Sequence, residues 1–324
     1  MRGLFPAILA NQTYQFDRDN GHQVYVEESG NPNGIAVIFC HGGPGGGCGA
    51  VHRRYYDPQV YRIICFDQRG CGQSLPHAKL EGNTTWALLE DMEFIREQLK
   101  VERWVVAGGS WGSTLALIYA INYPQRVLGL ILRGIFLARL QDYDWLYRQS
   151  GGAAQIFPDY YEDFIEPIAP CDDGDEVAAY YALLTSKNEI ERLHAAKVWS
   201  VWEGKISTLT CKADAQEVCS EAHLALSMAR LEAHYFVNDC FIEQNYILDN
   251  LHLIAHIPGF IIHGRYDCVC KIENAFTLAK AWSNAQLQVI PASGHSGQEP
   301  SIVDALCRAS DAMVDFVNKK DSEL

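Results

Sequence analysis

Three residues have the types and the order to make and break an acyl bond. Ser110 stands in Gly108-Gly109-Ser110-Trp111-Gly112, a G-x-S-x-G pentapeptide. An apolar run, WVVAG at 104–108, precedes it, and a helix-like stretch, 113–123, follows and stops at Tyr123-Pro124. Strand, tight turn and helix in that order expose a serine hydroxyl at a helix N-terminus, where backbone N–H groups and the helix dipole favour developing negative charge. Gly108 and Gly112 leave room where a side chain would strike the neighbouring strand or helix. The five letters recur by chance, and it is the strand–turn–helix setting that gives them weight. A serine hydroxyl is a weak nucleophile until a base takes its proton. Asp267 lies just after the strand-like GFIIHG (259–264), and His295 just after LQVI (287–290). The order serine, acid, histidine, with each partner after a late strand, fits a catalytic triad. His295 is then the general base and later the general acid. Asp267 orients the imidazole and stabilises its protonated form. Ser110 carries an acyl group that water hydrolyses. His263, inside a strand, and His41, at the start of a loop, read as structural.

A tetrahedral intermediate needs oxyanion donors. One is the N–H of Trp111, directly after the serine. The other is expected from the loop HGGPGGGCG, 41–49, which follows the apolar run IAVIFC, 35–40. Pro44 has no N–H, so Gly43 is the candidate. The loop lacks the Lys-Ser/Thr ending of a phosphate-binding loop.

These residues need a scaffold, and the chain supplies one. Residues 12–18 and 23–28 flank the turn Asp19-Asn20-Gly21, as in a hairpin. Short continuous apolar runs at 35–40, 61–66, 104–108 and 127–133 suit buried parallel strands. Thr84 or Thr85 can cap a helix with the stripe Leu88, Met92, Ile95 and Leu99. From 138 to 255 no strong strand is visible. Val177, Tyr180, Tyr181 and Leu184 share one helical face. Ile190, Leu193, Trp199, Val201 and Trp202 suggest a second helix, and 221–236 a third. The sequence therefore predicts an α/β fold: a mostly parallel sheet with helices on both faces, formed by residues 1–137 and 256–324, interrupted by an all-helical domain over 138–255.

The 324 residues, 48% hydrophobic, suffice for a large core. A net charge of −14 disfavours nucleic acid and anionic membrane surfaces as partners and suits a cationic ligand. No run reaches the ~20 apolar residues of a membrane helix, and MRGLFPAILANQTYQF reads poorly as a signal peptide. Eleven cysteines at uneven spacing, without a C-x-x-C pair, predict free thiols in the cytoplasm. No metal or cofactor is implied.

The motifs HGGPGGG (41–47), DQRGCGQS (67–74), GGSWGSTLAL (108–117), GRYDCVC (264–270) and SGHS (293–296) resemble those of the prolyl aminopeptidases, or proline iminopeptidases, of the α/β-hydrolase superfamily. RGIF (133–136), WSVWEG (199–204) and ARLEAHYF (229–236) extend the resemblance through the helical region. It implies a serine exopeptidase that removes an N-terminal proline from small peptides, with Ser110, Asp267 and His295 as triad and Gly43 and Trp111 as oxyanion donors. It places Glu203 and Glu232 at the substrate's amino terminus, and Phe136, Phe236 and Cys270 around the proline ring. The chemistry is consistent. A protonated secondary amine offers two N–H donors and one charge, and two carboxylates can each take a donor. Cys270, with Cys268, is expected to make the pocket open to blockage by thiol reagents. Two departures stand out. Ala233 replaces the family's usual asparagine beside Glu232, and Lys271 replaces a common proline, which is expected to soften the Asp267 loop. A carboxylesterase or lactonase with the same triad is the alternative. Ser110 argues against epoxide hydrolases and haloalkane dehalogenases, which use an aspartate at that turn.

Overall fold

The computed structural model describes residues 1–210 and 221–322. Its centre is an eight-stranded sheet built from β1 (Gln12–Asp17), β2 (Gln23–Gly30), β3 (Ile35–Cys40), β4 (Tyr61–Phe66), β5 (Trp104–Ser110), β6 (Val127–Ile135), β7 (Gly259–Gly264) and β8 (Ala285–Ile290). The spatial order is β1-β2-β4-β3-β5-β6-β7-β8. The β1–β2 and β2–β4 pairings are antiparallel, and the rest are parallel. The apolar runs are continuous because the parallel strands are covered on both faces. Alternate residues enter opposite cores. Ile38, Val106 and Leu132 pack with α1 (Thr85–Gln98) and α2 (Trp111–Asn122). Val37, Val105, Ala107 and Ile131 pack with the C-terminal helix.

Thr84 is the N-cap of α1, its hydroxyl accepting from the Ala87 N–H at 3.2 Å, and Leu88, Met92, Ile95 and Leu99 are buried as expected. Helix α2 starts at Trp111, two residues before the predicted onset, because it begins immediately after Ser110.

Between β6 and β7 the described residues form helices and no strand: α3 (Leu140–Tyr147), α4 (Gly152–Ile156), α5 (Pro158–Ile165), α6 (Glu176–Leu184), α7 (Glu189–Ile206), α8 (Ala222–Phe236) and α9 (Tyr246–Asn250), with short 3₁₀ turns. Helices α3 to α5 are short, and their apolar spacing gave no usable pattern in the sequence. On α7 the buried face is Ala195, Ala196, Trp199, Trp202 and Ile206, whereas Ile190 is 83% exposed and takes no part in it. Helices α10 (Ile272–Ala281) and α11 (Pro300–Ser322) complete the fold. No helix among the described residues is long and apolar enough to cross a membrane. Nine cysteines are free; Cys211 and Cys219 lie outside the described residues.

Candidate active site

Ser110 ends β5 and precedes the first turn of α2. Its backbone, φ 58° and ψ −130°, occupies a region in which a side chain is strained. Close packing enforces the bend. A Cβ added at Gly112 would collide with the Cys40 carbonyl, and one at Gly108 with the Gly112 carbonyl. The bend is also tied to the end of β6. The Ser113 hydroxyl donates to Ser110 O at 2.7 Å and accepts from the Phe136 N–H at 3.2 Å, and the Thr114 hydroxyl donates to Phe136 O at 2.7 Å.

Asp267 follows β7 and is buried. Its Oδ1 accepts the N–H groups of Val269 and Cys270 at 3.0 and 2.8 Å, and its Oδ2 lies 2.8 Å from His295 Nδ1. Burial pushes this carboxyl up, but the facing His295, His263 and the Cys270 amide outweigh it and hold it below the usual range. His263 is a support. Its Nδ1 accepts the Ile135 N–H at 3.0 Å, so its proton is on Nε2, which donates to Cys270 O at 2.8 Å.

His295 Nε2 faces Arg133 Nη1 at 3.1 Å, and the same nitrogen donates to His295 O at 2.9 Å. A guanidinium can only donate, so Nε2 carries the lone pair and Nδ1 the proton that points at Asp267. That is the tautomer a general base needs. Among the described residues no hydrogen bond joins Ser110 Oγ to His295; the serine oxygen instead lies 4.0 Å from Cys270 Sγ. The histidine loop is held from the insertion: Ser207 O, at the C-terminal end of α7, accepts the N–H groups of His295 and Ser296 at 2.9 and 2.8 Å.

The Trp111 N–H is the first of α2, a position without an intrahelical acceptor. Gly43 has φ 111°, where a side chain would be strained. The loop around it hangs on residues 67–74, for which the sequence suggested no chemistry. Gln68 donates its backbone N–H to His41 Nε2 at 3.0 Å and its side-chain amide to His41 O at 2.9 Å. Its Oε1 takes the Trp111 indole N–H at 2.8 Å. Burial lowers the His41 pKa to about 4, so this imidazole stays neutral and structural.

Glu203 of α7 and Glu232 of α8 lie close enough for each carboxyl to perturb the other. The Tyr147 hydroxyl donates to Glu203 Oε1 at 2.5 Å, and the Trp199 indole to Glu232 Oε2 at 2.6 Å. Burial first, then the Glu203 charge, push Glu232 well above the ordinary carboxyl range. Burial raises Glu203 too, against the hydrogen bonds it accepts. Both shifts favour protonation of the pair, and a cation between the carboxyls would oppose them. Phe136 and Phe236 meet edge to face at 5.9 Å between centroids, and Tyr147 lies tilted against Phe236 at 5.7 Å and Trp199 at 4.5 Å. Tyr147 and Arg133 escaped the sequence analysis as individual residues. Trp199 carried a signal, since it sits one helical turn before Glu203.

A family model described as the alpha/beta hydrolase fold matches residues 35–301. A proline iminopeptidase of Xanthomonas citri is 50% identical over 312 residues, covering 96% of this chain and 99% of that protein. The chain belongs to the proline iminopeptidase family of α/β hydrolases. An Arabidopsis thaliana proline iminopeptidase is 45% identical over 294 residues, covering 90% of this chain and 77% of its own. An esterase from Exiguobacterium antarcticum, at 22% identity and a TM-score of 0.62, covers 95% of this chain and 100% of its own and shares the fold. Lys271, where the sequence suggested a departure from the family, carries two ion pairs. Its ammonium lies 3.6 Å from both Asp142 of α3 and Glu273 of α10, tying the loop to the insertion. The other departure, Ala233, is fully buried, and Glu232 beside it draws its hydrogen bond from Trp199.

Proposed function

We propose that the chain is a serine exopeptidase that releases an N-terminal proline from small peptides. Residues 1–137 and 256–324 form the reactive core, and 138–255 cap it. The observation that carries this function is the pairing of buried Glu232 with half-buried Glu203, held by Trp199 and Tyr147 next to an aromatic wall. Two carboxyls forced together away from water are costly to keep. A prolyl ammonium relieves that cost by giving one N–H to each carboxylate. A blocked or internal proline brings no charge and leaves both unpaired, so it is rejected. A general esterase or lactonase has no use for the pair.

The pyrrolidine ring packs against Phe136, Phe236 and Cys270. The scissile carbonyl oxygen takes the Gly43 and Trp111 N–H groups. His295 Nε2 exchanges Arg133 for the Ser110 hydroxyl and accepts its proton as Oγ attacks the carbonyl carbon. Asp267 stabilises the imidazolium so formed. The C–N bond breaks, His295 returns the proton to the leaving amine, and proline remains as an ester on Ser110. Water, giving a proton to His295, attacks that ester, and the serine recovers its hydrogen.

The test compares proline p-nitroanilide with its N-acetylated form. Turnover is expected to collapse on acetylation, and equal turnover of both would overturn the role of the glutamates.

A further inference from the structure

Arg133 is an anomaly in a chain with 40 acidic and 26 basic residues. Among the described residues, its hydrogen bonds run only to Nε2 and the carbonyl of His295, and no carboxylate pairs with it. Both bonds use Nη1. The Nε and Nη2 N–H groups, which form the side-on edge suited to a carboxylate, make no hydrogen bond among the described residues; this edge lies against Gly109 and swings off it to meet a ligand. The guanidinium packs over Gly109, where an added Cβ would collide with it, and lines a cavity of about 240 Å³ together with His295, Gly297 and Gln298. The cavity also borders the segment that leads into the Ser110 bend.

The chemistry of the leaving group meets this site. When the C–N bond breaks, the departing nitrogen must lie at His295 Nε2 to receive its proton. Arg133 Nη1 is 3.1 Å from that atom. In a dipeptide the terminal carboxylate is two carbons beyond the departing nitrogen, within the span of the same guanidinium. We infer that Arg133 and this cavity form a leaving-group subsite that takes the free α-carboxylate of the second residue of a prolyl dipeptide. It rests on the prolyl exopeptidase function proposed above. In the substrate-free enzyme the guanidinium rests on the imidazole lone pair. A substrate carboxylate draws it away along its free edge and so releases Nε2 to the serine. The protein's net negative charge alone would favour the opposite preference, for an uncharged leaving group.

The experiment measures kcat/KM on Pro-Gly, Pro-Gly-NH2 and proline p-nitroanilide, with wild type, Arg133→Met and Arg133→Lys. Wild type is expected to prefer Pro-Gly to its amide by about tenfold or more, the scale of a charge-assisted hydrogen bond. Arg133→Met brings that ratio to one or below, and Arg133→Lys restores part of it. Since the readout is a ratio within each enzyme, a general loss of activity does not move it. Equal rates on Pro-Gly and its amide in wild type overturn the subsite, as does an undiminished ratio in Arg133→Met. Failure of wild type to cleave the anilide would instead sink the exopeptidase function itself.

Discussion

The two halves of the site are built by different means. The half read as reactive is made at the ends of strands: Ser110 as the last residue of β5, Asp267 after β7 and His295 after β8. Backbone geometry and sheet register put these groups together. The selective half is made by side chains reaching across the helices of the insertion, Trp199 to Glu232 and Tyr147 to Glu203. As proposed, the first half acts on any acyl group that fits, and the second serves only a cation. In the proposed function, bond-breaking capacity and substrate choice are thus held by separate parts of the fold, which approach one another where Cys270 Sγ lies 4.0 Å from Ser110 Oγ.

That division can be broken at either side. Ser110→Ala should cost the most, about 10⁴-fold or more in kcat, on both proline p-nitroanilide and the small uncharged ester p-nitrophenyl acetate. Comparable activity in this variant would place the nucleophile elsewhere. Glu232→Gln should cost roughly 30- to 3,000-fold in kcat/KM on the prolyl anilide, the scale of truncating one partner of a buried charged pair. Its ester hydrolysis should stay near wild type, and its Tm should hold or rise, because a neutral amide replaces a group that is expensive to ionise there. Parallel loss on both substrates would merge the two halves. Tyr147→Phe should be milder, about tenfold on the anilide, and again silent on the ester.

The smallest effect is the most diagnostic. Glu232 is raised by burial and by Glu203, so the free pair binds a proton that must leave before a cation docks. Falling pH opposes binding through that raised range, and rising pH favours it until the substrate amine loses its own proton. The pH–kcat/KM profile on the anilide should therefore carry an acidic limb that p-nitrophenyl acetate lacks and that Glu232→Gln removes. The same limb on both substrates would assign it to the triad.

What was legible in the sequence follows the same split. Gly108, Ser110 and Gly112 are readable because close backbone packing permits few residue types, and Asp267 and His295 because they follow apolar strands. Glu203 and Glu232 are ordinary helix glutamates in the sequence; only resemblance to a family singled them out. Arg133 and Tyr147 left no pattern, since their partners lie more than 50 residues away. Ile190 misled because its place in the apolar spacing suggested burial, while the packed face of α7 begins later. The ion pairs of Lys271 to Asp142 and Glu273 were not legible, because their partners lie on other elements or gave no pattern.

Helix α7 has a mechanical consequence. It bears Glu203 on one turn and, at its end, Ser207, whose carbonyl grips the histidine loop. Those positions are four residues apart, about 6 Å along a helix axis. In the proposed function, one helix therefore links the anchor for a peptide's first atom to the loop of the proton carrier at its first bond. A link of that length suits the removal of a single residue, and it makes the insertion a ruler for the core.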